Sequence, residues 1–172
     1  MLADFLNSIN HELRASGIRP IIWGDQLLDP KQFESYIAGG TVTGPAIEKL
    51  SRDFIIADWQ YDIKAGQDKS FRFFQEQGFD VLPAPWWNNG ENIRALSNSA
   101  KQLHLTGVLG TTWHVLVKHP QIIWLNAACG WERNPVSVSF SHLNSITMKL
   151  CGSQLDYRSS GWGPYEVYYR ND

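Results

Sequence analysis

Little in this sequence points toward a metal, a membrane or a nucleic acid. Cysteine is scarce: Cys129 and Cys151 are the two in 172 residues. That is too few for a disulfide framework, and the pair lacks the spacing of a zinc site, so two buried thiols and no metal or other cofactor are expected. The longest apolar runs, 107–112 and 121–129, fall well short of the ~20 residues that a membrane-spanning helix needs. There is no run of Lys or Arg, and the formal net charge is −2, which leaves nothing to attract a polyanion. The opening Met1-Leu2-Ala3-Asp4-Phe5-Leu6 has no basic region, long apolar stretch or small-residue cleavage site. A cytoplasmic location is therefore expected for the chain as written, with the compartment open if it is a fragment of a secreted parent. No glycine-rich phosphate turn of the G-x-G-x-x-G or Walker type occurs. With 43% hydrophobic and 19% charged residues, disorder and coiled coil are excluded, and the length suits one compact domain.

What is abundant is tryptophan, eight residues in all, several beside Gly, Asp, Asn or Pro rather than inside apolar runs. The chain opens with Leu2, Phe5, Leu6, Ile9 and Leu13 at helical spacing, and Gly17 and Pro20 provide a stop. Ile21-Ile22-Trp23 then reads as a short buried strand ending in the polar Gly24-Asp25. The same step recurs three times. A short helix over Ala46 to Ser51 leads to Phe54-Ile55-Ile56-Ala57-Asp58-Trp59. A helix over Ser70 to Gln77, ended by Gly78, leads to Val81 through Trp87. The stripe of Ile93, Leu96, Ala100 and Leu103, stopped at Gly107, leads to Val108 through Trp113. Trp23, Trp59, Trp86 and Trp113 lie 36, 27 and 27 residues apart, close to the ~30 residues of one strand-plus-helix unit.

Tandem units of this kind require a parallel sheet, because each crossover helix returns the chain to the same end. The four tryptophans are then expected on one edge, at the C-terminal ends of the strands, where α/β proteins keep their sites. The predicted fold is α/β: a partial (β/α)8 barrel of about four units spanning residues 1–134. Its covering helix runs from Pro120 to Trp131. Residues 135–172 are expected to add a helix near Ser141 to Leu150 and an aromatic tail from Tyr157 to Tyr169. A small doubly wound sheet is the competing architecture, and it usually carries the phosphate turn that is missing here. Gly39-Gly40 precedes no strand and reads as a flexible point in a long loop.

A barrel mouth lined by successive tryptophans offers flat faces on which the apolar side of a pyranose stacks. Asp25, Asp58, Tyr61, Asp62, Asn88, Asn89 and His114 all lie within three positions of one of these tryptophans, and sugar hydroxyls need donors and acceptors of this sort. A carbohydrate is thus the expected ligand.

These residues carry a resemblance. Val81-Leu82-Pro83-Ala84-Pro85-Trp86-Trp87-Asn88-Asn89 resembles the seventh-strand segment of family 20 glycoside hydrolases, the β-N-acetylhexosaminidases, with Phe74-x-x-x-Gly78-Phe79-Asp80-Val81 as its lead-in. Ile22-Trp23-Gly24-Asp25 resembles the fifth strand, Ala57-Asp58-Trp59 the sixth, and Gly110-Thr111-Thr112-Trp113 the eighth. The resemblance covers about Ile18 to Trp113 and implies the second half of a barrel that releases terminal N-acetylhexosamine. It makes Trp23, Trp59 and Trp113 walls of a pocket for the acetamido group, with Trp86 beneath. Three positions depart from the family pattern: Trp87 stands where a Tyr is usual, Asn89 where an Asp grips sugar hydroxyls, and Val115 where a Glu follows the eighth-strand tryptophan. Tyr61 or His114 is a candidate replacement for the missing polar contacts. The family hydrolyses with the substrate's own acetamide as nucleophile, oriented by an Asp beside a protonating Glu at the end of the fourth strand. This chain has no Asp-Glu dipeptide, so the resemblance implies a catalytic pair upstream of it and an inactive chain in isolation.

Two alternatives stand beside this reading. Asp25 and Asp62 are candidates to flank a glycosidic bond as acid and base, as in two-carboxylate glycosidases. A sugar-binding or assembly module would use the same tryptophan edge without hydrolysis. The expected partners are an N-acetylhexosamine-containing glycan and either an upstream half-barrel or a second copy of the chain, since a half-barrel leaves unpaired strand edges. Glu91 follows Gly90 ahead of a helix, where a carboxylate complements the helix N-terminus.

Overall fold

The computed structural model describes residues 1–86, 89–113 and 120–131, with the backbone alone for 120–124. Helix α1 spans Leu2–Ala15 and closes on Gly17, whose φ of +73° is open to glycine at little cost; the Gly17 and Ile18 amides donate back to Arg14 and Leu13. Its apolar stripe is only partly covered. Ala3 is buried and Leu6 packs on the core, but Phe5 and Ile9 remain exposed. Asn7 fixes the helix to the chain ahead of the second strand, donating to the Lys49 carbonyl and accepting from the Ser51 amide.

Strands β1 (Ile21–Trp23), β2 (Ile55–Asp58) and β3 (Asp80–Pro83) form a parallel sheet in the order β1-β2-β3. Ile22 pairs with Ile56 and Ile56 with Val81. This row shares the core with Phe71 and Phe74 of α2 (Lys69–Glu76) and Leu96 of α3 (Gly90–Gln102). Because strand side chains alternate, Ile21 and Trp23 take the opposite face, where both are exposed. The chain is α/β, with sequential units laid side by side. Among the described residues, β1 has one neighbouring strand.

The fourth predicted strand is reduced to a single parallel bridge between Trp86 and Thr111, although the Leu109 and Thr111 amides still donate to the Pro83 and Pro85 carbonyls. Among the described residues no further pairing follows Thr111, and the backbone turns at Trp113, whose φ is +54°. The predicted helix over Ala46 to Ser51 is instead a 3-10 helix over Gly44–Lys49, entered through Pro45. Helix α4 (Pro120–Trp131) packs on α3, where Leu125 and Cys129 bury Ile93; burial pushes the Cys129 thiol pKa up.

The reading of Gly39-Gly40 as a flexible point is overturned. Gly40 is buried, its amide donates to the Leu28 carbonyl, and a Cβ there would sit 2.7 Å from the carbonyl oxygens of both Gln26 and Leu28. The pair is a close backbone approach that folds the long loop after β1 onto itself. Leu28 and Phe33 from that loop are core residues. The proposed helix near 141–150, the aromatic tail and Cys151 lie outside the described residues. No helix among the described residues is long and apolar enough to cross a membrane.

Candidate functional site

The C-terminal edge of the sheet gathers the aromatic residues that the spacing pointed to. Trp23 ends β1, Trp59 follows β2, Trp86 follows β3, and Trp113 follows the bridge at Thr111. Trp113 tilts against Trp23 with ring centroids 5.5 Å apart and meets Trp59 edge-on at 6.2 Å. Trp59 meets Tyr61 edge-on at 5.2 Å, and Tyr61 stacks on Trp86 at 5.8 Å. The five rings form one continuous cluster. Its outer members are open to solvent, Trp23 at 41% and Trp113 at 59% exposure. These separations are ring-to-ring contact. A pyranose held between two faces would need roughly twice the ~3.5–4.0 Å contact distance between them.

Polar groups tie the cluster together. Trp59 Nε1 donates to Asp25 Oδ1 at 2.9 Å, and the other Asp25 oxygen accepts from Gln26 Nε2 at 2.8 Å. Trp113 Nε1 donates to the Tyr61 hydroxyl, which lies 3.1 Å from Thr111 Oγ1, and Thr111 donates to the Pro85 carbonyl at 2.7 Å. Asn89 is spent on architecture: Oδ1 caps α3 by accepting from the Asn92 amide, and Nδ2 donates to the Tyr61 carbonyl at 3.2 Å. Asp62 is exposed and makes no hydrogen bond to the described part of the cluster. Trp87, Asn88 and His114 lie outside the described residues. Glu91 occupies the first turn of α3, as expected for a carboxylate there.

Asp58 is the electrostatic anomaly. It is wholly buried, and burial pushes its pKa up to about 6, with the charge of Asp25 adding to the rise. Gln60 Nε2 donates to Asp58 Oδ1 at 2.8 Å. The Ser70 hydroxyl lies close enough to oppose part of the shift, yet neither Asp58 Oδ2 nor Ser70 Oγ closes a hydrogen bond of normal geometry. A carboxyl raised in this way resembles a general acid, but at 0% exposure it cannot reach a substrate.

Three positioning residues escaped the sequence reading. Asn92 accepts from the Trp86 amide and donates to the Gln60 and Ile63 carbonyls, so one buried side chain joins the loops after β2 and β3. Gln60 exchanges hydrogen bonds with the Ile37 amide and carbonyl and so holds the long loop to the sheet edge. Thr111 lies in the quoted Gly110-Thr111-Thr112-Trp113 segment, which was the one available signal for it. Nothing in the pattern marks Asn92 or Gln60, because a polar residue beside apolar ones is usually solvent-facing. No group of three metal-ligating side chains occurs among the described residues. Comparison of the chain with protein-family models and with curated proteins gives no match.

Proposed function

We propose that this chain supplies the sugar-binding wall of a glycoside hydrolase acting on terminal N-acetylhexosamine, as the second half of a (β/α)8 barrel. The observation that carries this reading is the convergence of Trp23 at the end of β1, Trp59 and Tyr61 after β2, and Trp113 beyond the Thr111 bridge into one part-exposed aromatic surface with Asp25 bonded into it. Aromatic faces take the apolar side of a pyranose, and the remaining lone pairs of Asp25 suit hydroxyl or acetamide N–H donors. The absence of an Asp-Glu dipeptide leaves proton donation to a segment outside this chain. The chain alone accordingly binds its sugar without hydrolysing it. A sugar-binding module without hydrolysis is favoured by one observation, that both Asp25 oxygens are already engaged.

Saturation-transfer NMR tests the reading. N-acetylglucosamine at millimolar concentration should receive saturation, strongest at its acetamido methyl, and Trp23→Ala in a folded chain should abolish it while Trp131→Ala does not. Equal transfer to both variants, or none to the wild type, would reject the reading.

A further inference from the structure

The hydroxyl of Thr111 has one proton, and the Pro85 carbonyl at 2.7 Å can only accept it. Tyr61 must then be the donor in its 3.1 Å contact with Thr111, and the Trp113 indole, which has only a donor, must direct its N–H to the Tyr61 oxygen. Proton counting thus gives the chain one direction: Trp113 to Tyr61 to Thr111 to a backbone carbonyl. At its open end stands Trp113, a bulky residue held at φ +54°, a region that disfavours any side chain. The ring so held lies against both Trp23 and Trp59, with more than half of its own surface in water. Trp59 differs: its indole is tied separately to Asp25, and it is half-buried.

We infer that Tyr61 is a positioning residue that latches Trp113 as a movable cover over the faces of Trp23 and Trp59. The cover occupies the volume that a stacked ligand would use, and its displacement breaks one hydrogen bond while releasing an unfavourable backbone conformation. An entering ligand that donates a hydrogen bond takes the place of the Trp113 N–H on the Tyr61 oxygen. That this ligand is a sugar rests on the function proposed above; the latch itself does not.

The test is hydrogen exchange of the indole N–H groups in the 15N-labelled full chain, assigned by single Trp→Phe substitutions. Tyr61→Phe keeps the ring against Trp59 and Trp86 and removes only the oxygen. It should speed exchange of the Trp113 indole at least tenfold and shift the Trp23 indole signal, while the Trp59 indole keeps its wild-type rate. Thr111→Val, which removes the acceptor that orients the Tyr61 proton, should move the same signals by a few-fold and keeps the test open if Tyr61→Phe misfolds. Unchanged Trp113 exchange in the folded variants would overturn the latch. Faster Trp113 exchange with an unmoved Trp23 signal would overturn the cover. If N-acetylglucosamine alters no indole signal in wild type or variant, the carbohydrate reading fails, and the latch is still judged by the exchange rates.

Discussion

Trp59 donates its indole N–H to Asp25 across 2.9 Å, joining two residues 34 positions apart at the ends of neighbouring strands. The bond removes one of the donors a ligand would otherwise meet and fixes the plane of Trp59 beside Tyr61. Asp25→Ala should destabilise the chain by about 1 kcal/mol, since a hydrogen bond to a charged but half-exposed acceptor is worth roughly that. Asp25→Asn, which can keep an oxygen facing Trp59, should lose less. Urea unfolding followed by Trp fluorescence gives both values, and an Asp25→Ala chain as stable as wild type would make the contact incidental.

The buried Asp58 sets a pH dependence whose sign follows from its raised pKa. The folded state holds the proton up to about pH 6, whereas the unfolded carboxyl releases it near its ordinary value of 3.8. Stability therefore falls as pH rises through this window, and the penalty is complete above about pH 6. It is on the order of 3 kcal/mol at neutral pH. Asp58→Asn retains an acceptor for Gln60 and gains a donor for Ser70, so its melting temperature should exceed wild type at pH 7.5 and approach it at pH 4. A variant less stable than wild type at pH 7.5 would contradict the assignment.

Gly40 and Gly44 offer a matched pair in one loop. An alanine Cβ at Gly40 would lie 2.7 Å from two backbone carbonyl oxygens, which cannot rotate away, whereas at Gly44 the nearest atom is 3.7 Å distant. Gly40→Ala should cost at least ~2 kcal/mol, and Gly44→Ala should stay within ~0.5 kcal/mol. Thermal denaturation of the two variants measures the difference, and equal melting points would refute the close approach.

Asn92 and Ser97 are both buried polar residues of α3, with opposite expectations. Asn92→Ala removes three buried hydrogen bonds, to the Trp86 amide and the Gln60 and Ile63 carbonyls, and should cost about 3 kcal/mol, with altered near-ultraviolet circular dichroism from the displaced aromatic rings. Among the described residues Ser97 Oγ has no hydrogen-bond partner, so Ser97→Ala should be neutral or stabilising by up to ~1 kcal/mol. A reversal of this order would mean that the Asn92 bonds do not hold the two loops.

The tryptophan spacing made the shared edge legible because strand-plus-helix units have a nearly constant length, and Gly17 and Gly78 stop their helices where expected. The stop predicted at Gly107 comes earlier: α3 ends at Gln102, and the chain turns at His104 with φ +53°. Local pattern could not reveal that Gly39-Gly40 is a packed crossing, since close approach is a property of distant carbonyls. Periodicity likewise counted Phe5 and Ile9 toward a buried stripe, although the fold covers only one flank of α1. Within the site, the aromatic members were readable from the sequence. Their polar ties were not, because Asn92, Gln60 and Thr111 each bond to at least one partner more than 20 residues away.

The proposed binding of N-acetylhexosamine to the Trp23, Trp59 and Trp113 surface is tested most directly by titrating the 15N-labelled chain with N-acetylglucosamine, following every indole N–H. The Trp23, Trp59 and Trp113 signals should move together on one weak binding curve, while Trp131, exposed at 88% on α4, stays fixed. Movement of Trp131 alone, or of no indole at all, would contradict it.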